Sequence, residues 1–328
     1  MRVQNGEKKM TTIVLNNGYI TSGISGGDKV LLDEAERLSK SQHIILVMPD
    51  IAKSNNRGLD AITYRAKSNN RGLLLFLEYI KRMFRIKSIL NTIHADMILC
   101  SSGFFDIIPS IQRGIPVRVY LFHTIPKHRV MSHLIQRFTF RWMLRAEKVY
   151  VCNSIETGKL LKAGFSREQI EIITPQIDAL AIKRAEPIGD HQAVFVGRMV
   201  ENKGVWDIVR VMKQINLTLV MIGTGPELDK LKRYAIQNNI NKRIHFTGYV
   251  DDEIKYRYLK AGKVLIMPSY EEGYCITIAE AICAGTDVVA YELPHYRECF
   301  GDKPIYCETG NVSQLTTKLK EYEKKDNK

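Results

Sequence analysis

The chain has 328 residues, more than a single hydrophobic core usually supports, so two domains are expected. A composition of 45% hydrophobic and 25% charged residues excludes a disordered or collagen-like chain, and no apolar run reaches the ~18–20 residues that cross a bilayer. The formal charge of +13 is uneven: residues 1–175 hold 26 Lys and Arg against 14 Asp and Glu (+12), and the remainder 22 against 21 (+1).

The polar start, Met1 to Met10, lacks the apolar segment of a secretory signal, so export is not implied. The six cysteines, at 100, 152, 275, 283, 299 and 307, form no CxxC pair and no zinc-like spacing, which reads as reduced thiols in a cytoplasm.

Along the chain, apolar strands alternate with amphipathic helices, which predicts parallel sheets covered on both faces. The first half yields strands at Thr12–Asn16, Ile44–Met48, Met97–Cys100, Val117–Phe122, Val149–Cys152 and Glu171–Ile173. The second half yields Ala193–Val196, Leu217–Ile222, Arg243–Phe246, Val264–Met267 and Asp287–Ala290. Helix-start signals precede Lys29–Lys40 (Gly26-Gly27-Asp28), Ile155–Ala163 (Asn153-Ser154) and Glu227–Asn238 (Pro226). Pro175, Pro187 and Gly189 interrupt the pattern at Thr174–Asp190, which places the domain joint there. Two doubly wound Rossmann-like domains are therefore expected, with a central cleft that receives strand ends from both. The octapeptide Ala52–Leu59 recurs unchanged as Ala66–Leu73, and residues 50–72 read as a mobile polar excursion.

Residues 81–148 carry twelve basic side chains against three acidic ones, interleaved with Phe, Trp and Met. Three readings stay open: a solvated basic face with its aromatics in the core, peripheral contact with an anionic membrane, or nucleic acid.

The most informative stretch is Pro268–Ala281, directly after the strand Val264–Met267. It sets Glu272 and Glu280 around a Gly273 turn that should open a helix. Helix-start N–H groups attract a diphosphate, and an inward carboxylate can accept hydrogen bonds from paired ribose hydroxyls. Two solvated surface glutamates are the alternative. Arg198 and Lys203 emerge on one loop after Ala193–Val196, as a fork and a point charge suited to a diphosphate. Gly223-Thr224-Gly225 forms a strand-to-helix turn that either admits a nucleotide or is merely tight. It is not the dinucleotide fingerprint, because Leu228 stands at the third glycine position. Ser25-Gly26-Gly27 closes the first strand–helix loop of the first domain, where its backbone could face the phosphates or sugar across the cleft or be merely a flexible turn, and His123 ends the strand from Val117, where it could bind a sugar hydroxyl or serve structure alone.

These residues together resemble the family-4 retaining glycosyltransferases (group 1) of the GT-B fold. The resemblance is carried by Gly197-Arg198 with Lys203-Gly204, Ile222-Gly223-Thr224-Gly225-Pro226-Glu227, His245-Phe246-Thr247-Gly248, Pro268-Ser269 with Glu272 and Glu280, and Ala284–Ala290. It implies an acceptor-binding domain over 1–178 and a nucleotide-sugar-binding domain over 179–328. It further implies that Arg198 and Lys203 hold the diphosphate, Glu280 the ribose and Glu272 the transferred sugar, with Gly273, Tyr274 and Cys275 supplying backbone contacts. Ser154 matches an end-of-strand serine of structural rather than catalytic character. Two departures stand out: Gly273-Tyr274-Cys275 replaces a Gly-Phe-Gly-like run, and Pro175-Gln176-Ile177-Asp178 replaces Asn-Gly-Ile-Asp at the joint.

The implied reaction is metal-independent hexosyl transfer, with retention, from a UDP or GDP sugar to an acceptor hydroxyl on a lipid-linked glycan or polysaccharide. No cofactor is expected. A cytoplasmic protein, peripheral at the inner face of the plasma membrane, is the matching location. A nucleotide-sugar 2-epimerase on the same architecture is an alternative, as is a non-catalytic membrane- or nucleic-acid-binding relative.

Overall fold

Segments apolar at every position, such as Leu219–Ile222 and Val264–Met267, bury all four side chains and can only be strands covered on both faces. Burying one such four-residue strand contributes roughly 6–12 kcal/mol before the cost of ordering it. A computed structural model of the chain describes residues 10–15, 26–49, 58–64, 73–101, 104–121 and 139–324. It divides into two compact units, 1–176 and 177–328.

The first unit holds β1 (Thr11–Leu15), β2 (His43–Pro49), β3 (Asp60–Tyr64), β4 (Met97–Ser101), β5 (Val117–Tyr120), β6 (Lys148–Val151) and β7 (Ile170–Ile172). They form one sheet in the order β3-β2-β1-β4-β5-β6-β7, parallel throughout. Its core joins Ile13, Leu15, Ile98, Val119, Val149 and Val151 to Ile86 and Leu90 of the helix Leu73–Thr92.

The second unit holds β8 (Ala193–Val196), β9 (Leu219–Ile222), β10 (Ile244–Gly248), β11 (Val264–Met267), β12 (Asp287–Tyr291) and β13 (Ile305–Cys307). Their order is β10-β9-β8-β11-β12-β13, again parallel. Side-chain caps start some of its helices: Asp178 accepts from Ala181 N–H and Asp251 from Ile254 N–H.

The expected strands are present with ends shifted by at most two residues, and two more appear. Residues 60–64, expected inside a mobile excursion, pair as β3 with β2 at the sheet edge. Ile305–Cys307 adds β13 beside β12. The interrupted stretch 174–190 contains a helix, Ala179–Arg184, because Asp178 caps a run of good helix formers. Gly26 and Gly27, expected in the loop, are the first residues of the helix Gly26–Ser39.

In the basic region 81–148 the described aromatic and methionine side chains divide. Phe140 and Met143 are buried in the core, and the Arg145 guanidinium lies 4.9 Å over the Trp142 ring. Phe84, by contrast, is 60% exposed between the exposed Lys81 and Lys87. Among the described residues no helix is long and apolar enough to cross a membrane.

Candidate functional site

β8 and β11 are neighbours, paired Ala193 to Val264 and Val194 to Leu265. The chain leaves β8 toward β9 on one side, and leaves β11 toward β12 on the other. Their loops, 197–203 and 268–275, thus diverge from one carboxyl edge at the point where strand order reverses, the place where open parallel sheets form a crevice.

The glycines of this edge are demanded by packing. Gly204 has φ 66°, and a Cβ there would lie 2.0 Å from the Pro268 carbonyl oxygen, so only glycine lets the Lys203 segment touch the end of β11. Gly223 has φ 128°, and its Cβ would meet the Gly197 carbonyl oxygen at 2.0 Å. Its amide donates to Gly248 O at 2.7 Å, while Thr224 O accepts from Met199 N–H at 2.8 Å. The Gly223-Thr224-Gly225 turn is therefore a tight turn zipped to its neighbouring loops, with the amide of Gly223 already engaged.

Within this frame the structure brings together Lys203 and Glu272, 69 residues apart in sequence. Lys203 Nζ lies 2.6 Å from Glu272 Oε1, which also accepts from Ser269 Oγ at 2.8 Å; the two charged side chains are 18% and 11% exposed. Glu280 lies on the helix Ile276–Ala284 and is 1% exposed; its Oε1 accepts from Lys255 Nζ at 2.8 Å. Lys255 also reaches Asp252 Oδ1 at 2.7 Å. Glu280 is thus a buried and Glu272 a partly buried partner of a lysine, and the solvated-surface alternative fails. Arg198 is exposed and forms no ion pair with a described residue.

Cys275 caps the same helix in the left-handed region, φ 75° and ψ 73°. The backbone shape suited to glycine is thus kept by a cysteine, and the departure at Gly273-Tyr274-Cys275 alters the side chain rather than the turn. The thiol is buried, which pushes its pKa far up and leaves it a poor nucleophile. Tyr274 is buried against Phe300, ring centroids 5.0 Å apart.

Behind these loops sits Asp207, 3% exposed, in the first turn of the helix Val205–Met212. Its Oδ2 accepts from Tyr270 hydroxyl at 2.6 Å and Tyr291 hydroxyl at 3.0 Å, and its Oδ1 from Arg210 at 3.0 Å. Burial and the bond to Asp207 push the Tyr270 hydroxyl up to about 12.

Sequence reasoning did not find Lys255, Asp207, Tyr270 or Tyr291. The one available signal was Asp207 itself, an acid inside the apolar run Val205-Trp206-Asp207-Ile208-Val209. His123 lies outside the described residues, and so does Ser25 beside Gly26 and Gly27.

Residues 177–328 match the family described as glycosyl transferases group 1. An uncharacterized glycosyltransferase of Methanocaldococcus jannaschii is 27% identical over 161 residues, 47% of this chain and 41% of the relative. Alpha-galactosylglucosyldiacylglycerol synthase of Streptococcus pneumoniae is 24% identical over 185 residues, 51% and 50% of the two chains. The chain thus spans half or less of the length of these curated relatives. Among solved structures, sucrose-phosphate synthase from Thermosynechococcus elongatus superposes with a TM-score of 0.79 at 16% identity, covering 95% of this chain and 89% of that one. Anabaena HepE in complex with UDP and glucose gives 0.75 at 15% identity, with the same coverage. The fold is accordingly that of the GT-B glycosyltransferases: two parallel α/β sheets, one in each unit.

Proposed function

We propose that the protein is a glycosyltransferase of the family-4 retaining type, moving a hexose from a nucleoside-diphosphate sugar to an acceptor hydroxyl without a metal ion. The observation that carries this reading is the Lys203–Glu272 contact at the strand-order reversal, within a segment that matches the group 1 family.

Departure of a nucleoside diphosphate builds negative charge on the leaving oxygens and positive character on the sugar ring. Lys203 and Arg198 neutralise the former as point charge and fork, helped by the N–H groups that open the helix Ile276–Ala284. An arriving diphosphate draws Lys203 from Glu272, and the carboxylate then accepts hydrogen bonds from the sugar hydroxyls. Glu280, held by Lys255, presents a fixed carboxylate to the ribose. With the Cys275 thiol held protonated, a thioglycoside intermediate on its sulfur is disfavoured, which suits attack from the face of departure and retention at the anomeric carbon. His123 and the Gly26-Gly27 segment are assigned to an acceptor unit, 1–178, and the nucleotide-sugar site to a donor unit, 179–328.

A screen of thermal stability with UDP, GDP, ADP and their sugars identifies the donor, since a ligand that binds the native state raises its melting temperature with concentration. With that donor, Lys203→Ala and Glu272→Ala should each abolish transfer while circular dichroism stays native. Full activity in either variant sinks the assignment.

The acceptor is proposed to be lipid-linked and the protein to sit peripherally at the cytoplasmic face of a membrane. The support is Phe84 projecting between Lys81 and Lys87, since each basic residue near an anionic surface contributes ~1 kcal/mol. Co-sedimentation with phosphatidylglycerol vesicles but not phosphatidylcholine vesicles, reduced by Phe84→Ser, is the expected result.

A further inference from the structure

Asp207 contacts neither Lys203 nor Glu272, yet its carboxylate joins the two chain segments that carry them. It lies four residues beyond Lys203, in the helix that follows Gly204. Its Oδ2 holds the hydroxyl of Tyr270, two residues before Glu272, at 2.6 Å. A second tie runs between the same segments, from Tyr270 N–H to Asn202 O at 2.8 Å. The carboxylate is in turn fixed from the sheet by Tyr291, a fully buried residue of β12, and from its own helix by Arg210. Tyr270 and Tyr291 meet edge to face at 5.6 Å, so the phenol that reaches the loop cannot swing without disturbing the core.

We infer that Asp207, acting through Tyr270, is a positioning residue that sets the Lys203 ammonium and the Glu272 carboxylate in register for a diphosphate. The inference rests on the donor-site reading above. Asp207 accepts three hydrogen bonds and donates none, which an ionised carboxylate can do and a neutral amide cannot. Tyr270 is 41% exposed, so deleting its hydroxyl leaves Asp207 still held by Tyr291 and Arg210 and leaves the fold standing. The test therefore uses Tyr270→Phe, with Asp207→Asn as a second variant.

Calorimetric titration with UDP, and in parallel with GDP and ADP, is carried out on the wild-type chain, Tyr270→Phe, Lys203→Ala and the double variant. The inference predicts that Tyr270→Phe weakens diphosphate binding about fivefold while the melting temperature stays within about 2 °C, and that Lys203→Ala weakens it about tenfold or more. In the Lys203→Ala background, Tyr270→Phe should add less than about twofold, because its effect passes through the placement of Lys203. Asp207→Asn should follow Tyr270→Phe in that pattern. Unchanged binding in Tyr270→Phe beside a weakened Lys203→Ala overturns the positioning role and spares the donor site. Equal losses in both backgrounds overturn it also, since Tyr270 would then act independently of Lys203. If Lys203→Ala binds as wild type, or no nucleotide binds, the donor-site reading fails and takes this inference with it.

Discussion

Glu280 offers the sharpest physical test, because it is a carboxylate with 1% of its surface exposed, held by a lysine that is itself 12% exposed. Truncating one member of a buried ion pair typically costs about 3–5 kcal/mol, since the other charge stays behind in a low-dielectric site. Lys255 retains Asp252 at 2.7 Å, but Asp252 is 49% exposed and compensates weakly, so Glu280→Ala should cost about 3 kcal/mol, the lower end of that range. Glu280→Gln keeps the shape and one acceptor oxygen and loses only the charge, for about 2 kcal/mol. In a unit of this size each kcal/mol moves the melting temperature by about 2–4 °C, so the two variants should melt about 6–12 °C and 4–8 °C below wild type. Differential scanning calorimetry of the full chain measures this. A double cycle with Lys255→Met should return a coupling of about 1–2 kcal/mol. Melting within 1 °C of wild type in both variants would refute the reasoning, showing that no charge is held there at a cost.

Cys275→Gly should leave transfer activity intact and shift the melting temperature by no more than about 4 °C, because relief of a left-handed residue is offset by the lost side chain and the freer unfolded chain. Cys275→Val should be clearly worse, and the reverse order contradicts the backbone argument. Transfer should be unchanged by EDTA, since Arg198, Lys203 and helix-start N–H groups carry the neutralising role; a loss restored by Mg²⁺ contradicts that mechanism. The hydroxyl of Tyr270 has its pKa raised to about 12 by burial and by Asp207, so the fold favours its protonated form. That contribution is complete below pH 10 and is lost as pH rises through 12, so alkaline denaturation should be shallower in Tyr270→Phe than in wild type. Identical alkaline curves would show that Tyr270 contributes nothing to it.

The second sheet was legible because β8, β9 and β11 are apolar at nearly every position, a pattern that belongs to strands buried on both faces. β3 was not, since Asp60-Ala-Ile-Thr-Tyr is short and mixed, pairs on one side only, and sits between two copies of a polar octapeptide. β13 is three residues at the opposite edge and gives no periodicity to read. Lys203 and Glu272 were legible as members of an ordered motif series, although their contact across 69 residues was not. Spacing says nothing of Lys255 reaching Glu280 across 25 residues or of Tyr291 reaching Asp207 across 84. Such pairs exist only because the parallel sheet sets helices and strands distant in sequence side by side. The glycines show the same limit: a nucleotide-facing role and tight packing both select Gly223, and the 2.0 Å approach to Gly197 O shows that packing alone already requires it.

The claim on which the account depends is that Lys203, Arg198, Glu272 and Glu280 hold a nucleoside-diphosphate sugar at the carboxyl edge of the second sheet. A crystal structure with the stabilising nucleoside diphosphate bound tests it most directly. The account predicts phosphate oxygens within hydrogen-bond distance of Lys203 and Arg198, and ribose hydroxyls on Glu280. A nucleotide bound elsewhere, with the Lys203–Glu272 pair undisturbed, would contradict it.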